Sequence, residues 1–297
     1  MIFRFFLVFF LASNMYALTA EEFREKLSSP RDLQRRQAVY EIIHSTLPEA
    51  IAVELLGSAV YDKDIFTRRM AISGLGKFED EEAVEVLESV LEDETAIIRS
   101  DAVRALANFP AEMVKEDIVW MLGDKNFIVV KEALNAVAKL KITDAEEEVM
   151  KFLKSRNEIV RTAAVDCASA MALGEAYKTI RQIAEDGLSA ACRKNALNAL
   201  VEIKPEEQQK VLKEFLKDDN LEVALEAAFI LAKKFDPSGK KIVSEAVKND
   251  EPQIRIEAAK ILLYYDDEES RVLLKTLLND RDKTVRDFVK NNMGEER

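Results

Sequence analysis

Apolar and polar residues along this chain follow two nested periods. Over short stretches the apolar positions return every three to four residues, as they do on one face of an α-helix. Over longer distances a whole fourteen-residue phrase returns. Residues 62–75 read DKDIFTRRMAISGL, 93–106 read DETAIIRSDAVRAL, 124–137 read DKNFIVVKEALNAV and 249–262 read NDEPQIRIEAAKIL. Alignment on Arg99 gives equivalent anchors at Arg35, Arg68, Arg99, Val130, Arg161, Arg193, Ala224, Arg255 and Arg286, in steps of 33, 31, 31, 31, 32, 31, 31 and 31 residues. Such regular spacing marks nine internal repeats.

The columns around the anchor predict one helix per repeat. Three residues after it stand Ala38, Ala71, Ala102, Ala133, Ala164, Ala196, Ala227, Ala258 and Val289, and seven after it come mostly Leu, Ile or Val. One before it is usually apolar, as in Ile98, Val129, Val160, Val223 and Ile254. Offsets −1, +3, +4 and +7 share one side of a helix, and the small Ala column admits a close neighbour. Six before the anchor stand Asp62, Asp93, Asp124, Asp218 and Asp280, with Ser29, Ser155 and Asn249 elsewhere. These residue types favour N-caps, so the second helix of each repeat is expected to be capped there. Each repeat opens with an earlier amphipathic helix, clearest in EEAVEVLESVLED at 81–93, and Pro48, Pro110, Pro205 and Pro237 mark four such starts. A helix–turn–helix of about 31 residues cannot bury its apolar face alone, so stacking must cover it. The predicted fold is all-α: a right-handed α-solenoid of about nine repeats over residues 18–297. Packing at about 8–10 Å per repeat would make a rod roughly 80–90 Å long.

Composition agrees with this architecture. Apolar residues make up 48% of the 297, while Gly (8) and Pro (6) are scarce. The net charge is −12, and Lys and Arg lie interspersed with Asp and Glu rather than in a run. Nucleic acid is therefore a poor partner, because its binders draw affinity from clustered cations that neutralise phosphates. The first residues, MIFRFFLVFFLASNMYA, place Arg4 before an eight-residue apolar core at 5–12. A membrane span needs about 20 residues, so this reads as a secretory signal over 1–17, ending at Ala17. The expectation is an exported protein, bacterial periplasmic or secreted, with no membrane insertion of the mature chain. No Cys follows the apolar core, which argues against a lipid anchor. Thr19 and Glu22 then form a capping box flanked by Leu18 and Phe23, so a helix should begin at once in the mature chain.

The phrase Asp-x4-Val/Ile-Arg-x2-Ala-x3-Leu resembles the short HEAT-like repeat family first named from phycobilin lyases. The resemblance implies that Arg68, Arg99, Arg161, Arg193 and Arg255 are struts within and between repeats. It also implies that second helices line the inner face of the array. An enzyme branch resembling deoxyhypusine hydroxylase carries His-Glu pairs for iron at the start of second helices. Here those positions read Ser100-Asp101, Lys131-Glu132, Lys194-Asn195 and Ile256-Glu257, and the one His is His44, expected on an exposed helix face. No metal or cofactor is therefore expected. Asp101 and Glu132 could face each other as solvated charges. Cys167 and Cys192 lie about 10 Å apart along the helix axis, beyond the disulfide reach of about 7 Å, so two buried free thiols are expected.

The functional expectation is a non-catalytic scaffold or adaptor that binds a protein or peptide on the inner surface. A cofactor-handling or lyase-like protein is the alternative. Offsets +1, +2, +5 and +9 should face solvent. Asp101, Arg104 and Asn108, then Glu132, Asn135 and Lys139, are polar there, whereas repeats seven and eight place Leu225, Phe229, Ile256 and Tyr264. That apolar patch is either a partner site or a surface covered by the last repeat. Asn135 and Asn198, both at +5, could hydrogen-bond an extended peptide as Asn rows do in armadillo proteins.

Overall fold

The computed structural model describes residues 18–187 and 189–293, so the expected signal segment at 1–17 lies outside the described residues. These residues hold eighteen α-helices in nine successive pairs. The first helices are α1 (Ala20–Leu27), α3 (Glu49–Ala59), α5 (Glu81–Ser89), α7 (Ala111–Met121), α9 (Glu146–Phe152), α11 (Tyr177–Asp186), α13 (Gln208–Phe215), α15 (Lys240–Ala246) and α17 (Glu268–Leu277). The second helices are α2 (Asp32–Ile43), α4 (Ile65–Leu75), α6 (Ala96–Leu106), α8 (Phe127–Leu140), α10 (Glu158–Ala170), α12 (Ala190–Ile203), α14 (Leu221–Ala232), α16 (Pro252–Leu262) and α18 (Lys283–Asn292). The pairs fall into two compact units, Met1–Met171 and Ala172–Arg297, so the division lies between repeats five and six. The stacked array is a property of each unit.

In the N-terminal unit α2, α4, α6, α8 and α10 pack one on the next, and α1, α3, α5 and α7 form a second layer. In the C-terminal unit α12, α14, α16 and α18 stack in the same way. The small-residue column makes this possible: Ala38, Ala71, Ala102, Ala133, Ala164, Ala196, Ala227 and Ala258 have no exposed surface. Thr19 caps α1 through the expected box, its backbone N–H donating to Glu22 Oε2 at 2.6 Å. Cys167 and Cys192 are both buried and free. Burial, followed by the neighbouring Asp166 charge, pushes the Cys167 thiol up to about 12.

The structure corrects the expected capping position by two residues. The second helices start after Asp64, Thr95, Asn126, Asn157, Ser189, Asn220, Glu251 and Asp282, four before each anchor. The Asp at −6 has two other tasks. Its side chain accepts the N–H of the cap residue, as in Asp64 N to Asp62 Oδ1 and Asn126 N to Asp124 Oδ1, both 2.7 Å. It also receives the anchor guanidinium of the preceding repeat. Arg99 donates Nε and Nη2 to Asp124 at 2.7 and 2.9 Å, and Nη1 back to the Asp93 carbonyl at 2.6 Å. Arg35 does the same with Asp62 and the Ser29 carbonyl, and Arg255 with Asp280 and the Asn249 carbonyl. Burial alone would raise the Asp62 and Asp124 carboxyls, but the arginine and backbone hydrogen bonds outweigh it and lower both.

The strut columns are lost together. Where the anchor is Val130 the next −6 residue is Ser155, and where it is Ala224 the next is Asn249. Pairwise loss follows from the cost of burying one charge without its partner. Two anchors depart from this pattern. Among the described residues Arg68 keeps only its bond to the Asp62 carbonyl, 2.9 Å, and Arg161 only that to the Ser155 carbonyl, 2.9 Å. A buried nitrogen of each has no hydrogen-bond partner among the described residues.

Candidate functional site

The face offsets predicted from sequence do form an open site, but in repeats one to three rather than seven and eight. A groove of about 610 Å³ crosses α2, α4 and α6. Ten of its lining residues occupy those offsets: Arg36, Tyr40 and His44 from repeat one, Arg69, Met70, Ser73 and Lys77 from repeat two, and Asp101, Arg104 and Asn108 from repeat three. Phe66, Ile43 and Ala105 complete it. The helices come close because Gly74 and Gly76 lack side chains. A Cβ on Gly74 would lie 2.7 Å from Ile43 Cδ1, and one on Gly76 would lie 3.0 Å from the Ala105 backbone.

Ion pairs between repeats hold the polar side chains up from the surface. Arg36 grips Asp64 with Nε and Nη2, both at 2.7 Å. The Arg36 hydrogen bond is the main reason that the Asp64 carboxyl sits well below the usual carboxylate range, against an opposing effect of burial. Farther along, Arg69 Nε donates to Asp101 Oδ2 at 2.5 Å, and Arg104 Nη1 donates to Asp101 Oδ1 at 2.8 Å. Arg104 also chelates Glu132 through Nε at 3.0 Å and Nη2 at 2.9 Å, which raises its own pKa. Asp101 and Glu132 are therefore bridged by a guanidinium, and Asp101 is buried at 7% exposure, not a solvated charge. Asn108 donates to the Gly76 carbonyl at 3.0 Å and accepts from Lys139 at 2.6 Å.

Aromatic surface lies among these charges. Tyr40 is 52% exposed and Phe66 54%. The Arg36 guanidinium stacks 4.6 Å from the Phe66 centroid, an exposed cation–π contact of about 0.5–1 kcal/mol. His44 is exposed as expected, but it also lines the groove, with its ring 4.3 Å from that of Tyr40 and Nδ1 2.8 Å from the Tyr40 carbonyl.

The predicted site in repeats seven and eight does not open. Leu225 is 2% exposed and belongs to the hydrophobic core, which corrects its expected place on wet surface. Phe229 and Ile256 are half-buried against the same core. The reason is local: offset +1 lies at the seam between adjacent second helices, where an apolar side chain folds down and loses contact with water. Tyr264 remains exposed, edge-on to Phe229 at 5.5 Å, and lines a separate hollow of about 540 Å³ with Phe235, Leu263, Arg271 and Met293. Asn135 is exposed on α8. Asn198 is half-buried, with Nδ2 donating to the Lys194 carbonyl and to Glu226 of the next repeat, both at 2.9 Å. That amide serves the array in the same +5 to +2 rung that joins Arg104 to Glu132.

A family model described as HEAT repeats matches residues 20–107, 90–165, 146–232 and 209–289. The chain belongs to the HEAT-repeat family. No curated protein sequence matches it. Among solved structures, this HEAT array is similar to a chain of the full-length AP-3 complex in an intermediate open conformation. Identity there is 16% and the TM-score 0.59, over 92% of this chain and 57% of that one. An engineered protein matches at 21% identity and TM-score 0.44, over 92% and 87% of the two chains. The CpcE–CpcF complex of phycocyanin lyase from Nostoc matches at 19% and 0.46, over 80% and 94%. At these identities the likeness concerns the fold. No helix among the described residues is long and apolar enough to cross a membrane, and no group of three or more His, Cys, Asp or Glu there is placed to hold a metal ion.

Proposed function

We propose that this HEAT-repeat chain is a non-catalytic adaptor, exported from the cytoplasm, that holds a segment of another protein along α2, α4 and α6. The observation that carries this reading is the groove itself, with Tyr40 and Phe66 each more than half exposed on a face braced by ion pairs. Large aromatics in a preformed hollow lose the most water-exposed area when a partner covers them, and such residues carry most of the energy at protein interfaces. The bracing keeps that area available without a folding cost at the moment of binding. A photo-crosslinking residue at position 73, in the middle of the groove, tests it in cells. Proteins joined to the unaltered groove should disappear in the Tyr40→Ala/Phe66→Ala variant with melting temperature unchanged. An identical crosslinking pattern in that variant would overturn the reading. Export rests on the charge and apolar pattern of residues 1–17. N-terminal sequencing of the native protein should start at Leu18, and a retained Met1 would refute cleavage.

A further inference from the structure

We infer that the groove on α2, α4 and α6 takes an extended acidic segment of about six residues carrying one aromatic or large aliphatic side chain. This rests on the peptide-binding reading above and names the chemistry of the partner. The first support is charge. The chain carries −12 overall, yet Arg36, Arg69, Lys77 and Arg104 line the groove against a single carboxylate, Asp101. Even with Asp64 and Glu132 added as partners of Arg36 and Arg104, one positive charge is in excess. Charges more than about 8 Å away are screened at physiological salt, so a ligand in the groove responds to this local balance and not to the acidic remainder.

Donors remain for such a ligand. A guanidinium has five N–H groups, and Arg104 commits one each from Nε, Nη1 and Nη2. Arg69 commits only Nε, and the Lys77 ammonium has no ion-pair partner among the described residues. The length follows from geometry. Three stacked helices span two spacings of about 8–10 Å, and an extended chain at about 3.3 Å per residue covers that distance in five or six residues. Tyr40, Phe66 and Met70 supply the apolar end, with the thioether able to adapt to different side-chain shapes. A nucleic acid fits less well, because its dense phosphates need rows of unshared cations, whereas most cations here already share charge with carboxylates.

The test is selection of a random displayed hexapeptide library on the purified full chain, followed by affinity measurement with the best synthetic peptide. Enriched peptides should be rich in Asp and Glu with one aromatic or aliphatic residue. Lys77→Glu should weaken that peptide about tenfold, and Tyr40→Ala comparably, with circular dichroism and melting temperature unchanged. Raising salt from about 0.05 to about 0.5 M should weaken it further. Enrichment of neutral or basic peptides, or of acidic ones that bind both variants equally, would overturn the partner chemistry while leaving peptide binding intact. No enrichment at all would remove both readings. Displacement of the acidic peptide by a labelled single-stranded oligonucleotide of higher affinity would overturn this inference in favour of nucleic acid.

Discussion

Repeats one to three and repeats seven and eight share the paired helices and the buried Ala column, yet their second-helix faces differ. In the first region the face offsets hold long polar side chains tied to carboxylates of the next repeat, and a groove stays open between them. In the second, Leu225, Phe229 and Ile256 take equivalent offsets and pack into or against the core. One backbone scaffold thus gives either an open groove or a sealed seam. The side chain at +1 and its partner in the next repeat decide which.

The largest expected effects should be common to both regions. Arg99→Ala and Arg255→Ala each leave a buried carboxylate, Asp124 or Asp280, without its guanidinium, at a cost of about 3–5 kcal/mol. Urea unfolding should show similar losses for the two. A loss confined to one region would mean that the scaffolds differ beneath the face. Next comes the contrast itself. Leu225→Ala should cost about 2–4 kcal/mol as a core truncation, whereas Tyr40→Ala should cost under about 0.5 kcal/mol as a surface change. Equal shifts in melting temperature would erase the distinction between the buried and the open face.

Acid should act on both regions through the lowered carboxyls. Asp64 and Asp62 in the first, and Asp280 of repeat nine, which receives Arg255 from the second, all sit below their ordinary value of 3.8 when folded. A lowered folded pKa means the unfolded chain binds protons first, so this stabilisation is complete above about pH 4 and lost as pH falls through the folded values. Stability by urea titration should be flat through neutral pH with respect to these groups and decline below about pH 4. Asp64→Asn should blunt that decline, and a decline already present at pH 6 would have another origin. The smallest effect is a gain. Phe235 follows α14 with φ of 60° and 82% exposure. Phe235→Gly should relieve the left-handed strain and raise stability by up to about 1 kcal/mol. A loss instead would show that packing of this ring in the hollow beside Tyr264 outweighs the strain.

Much of the fold was legible before any coordinates. The 31-residue spacing located nine pairs, and offsets +3, +4 and +7 named the buried stripe: Val103, Leu134 and Leu197 at +4 are all fully buried. The offsets of the open face were legible too, since ten groove residues occupy them. The choice of repeats was not. Apolar residues at those offsets suggested an exposed patch at Leu225 and Ile256, but apolarity there is what drives the side chain into the seam. Phe66, at offset −2, lay outside the pattern. The cap displacement was hidden because one Asp side chain serves the turn of its own repeat and the guanidinium of the previous one. The paired loss of Val130 with Ser155, and of Ala224 with Asn249, was a visible signal of that second task.

The sequence alone determined which residues form helices and which stripe of each helix is apolar, because both depend on neighbours within a turn or two. Only tertiary structure decided where the face stays open. Arg36 stands up because Asp64 lies 28 residues away along the chain, and Arg69 because Asp101 lies 32 away. A guanidinium, unlike a leucine, takes its position from charges that stacking alone brings within reach.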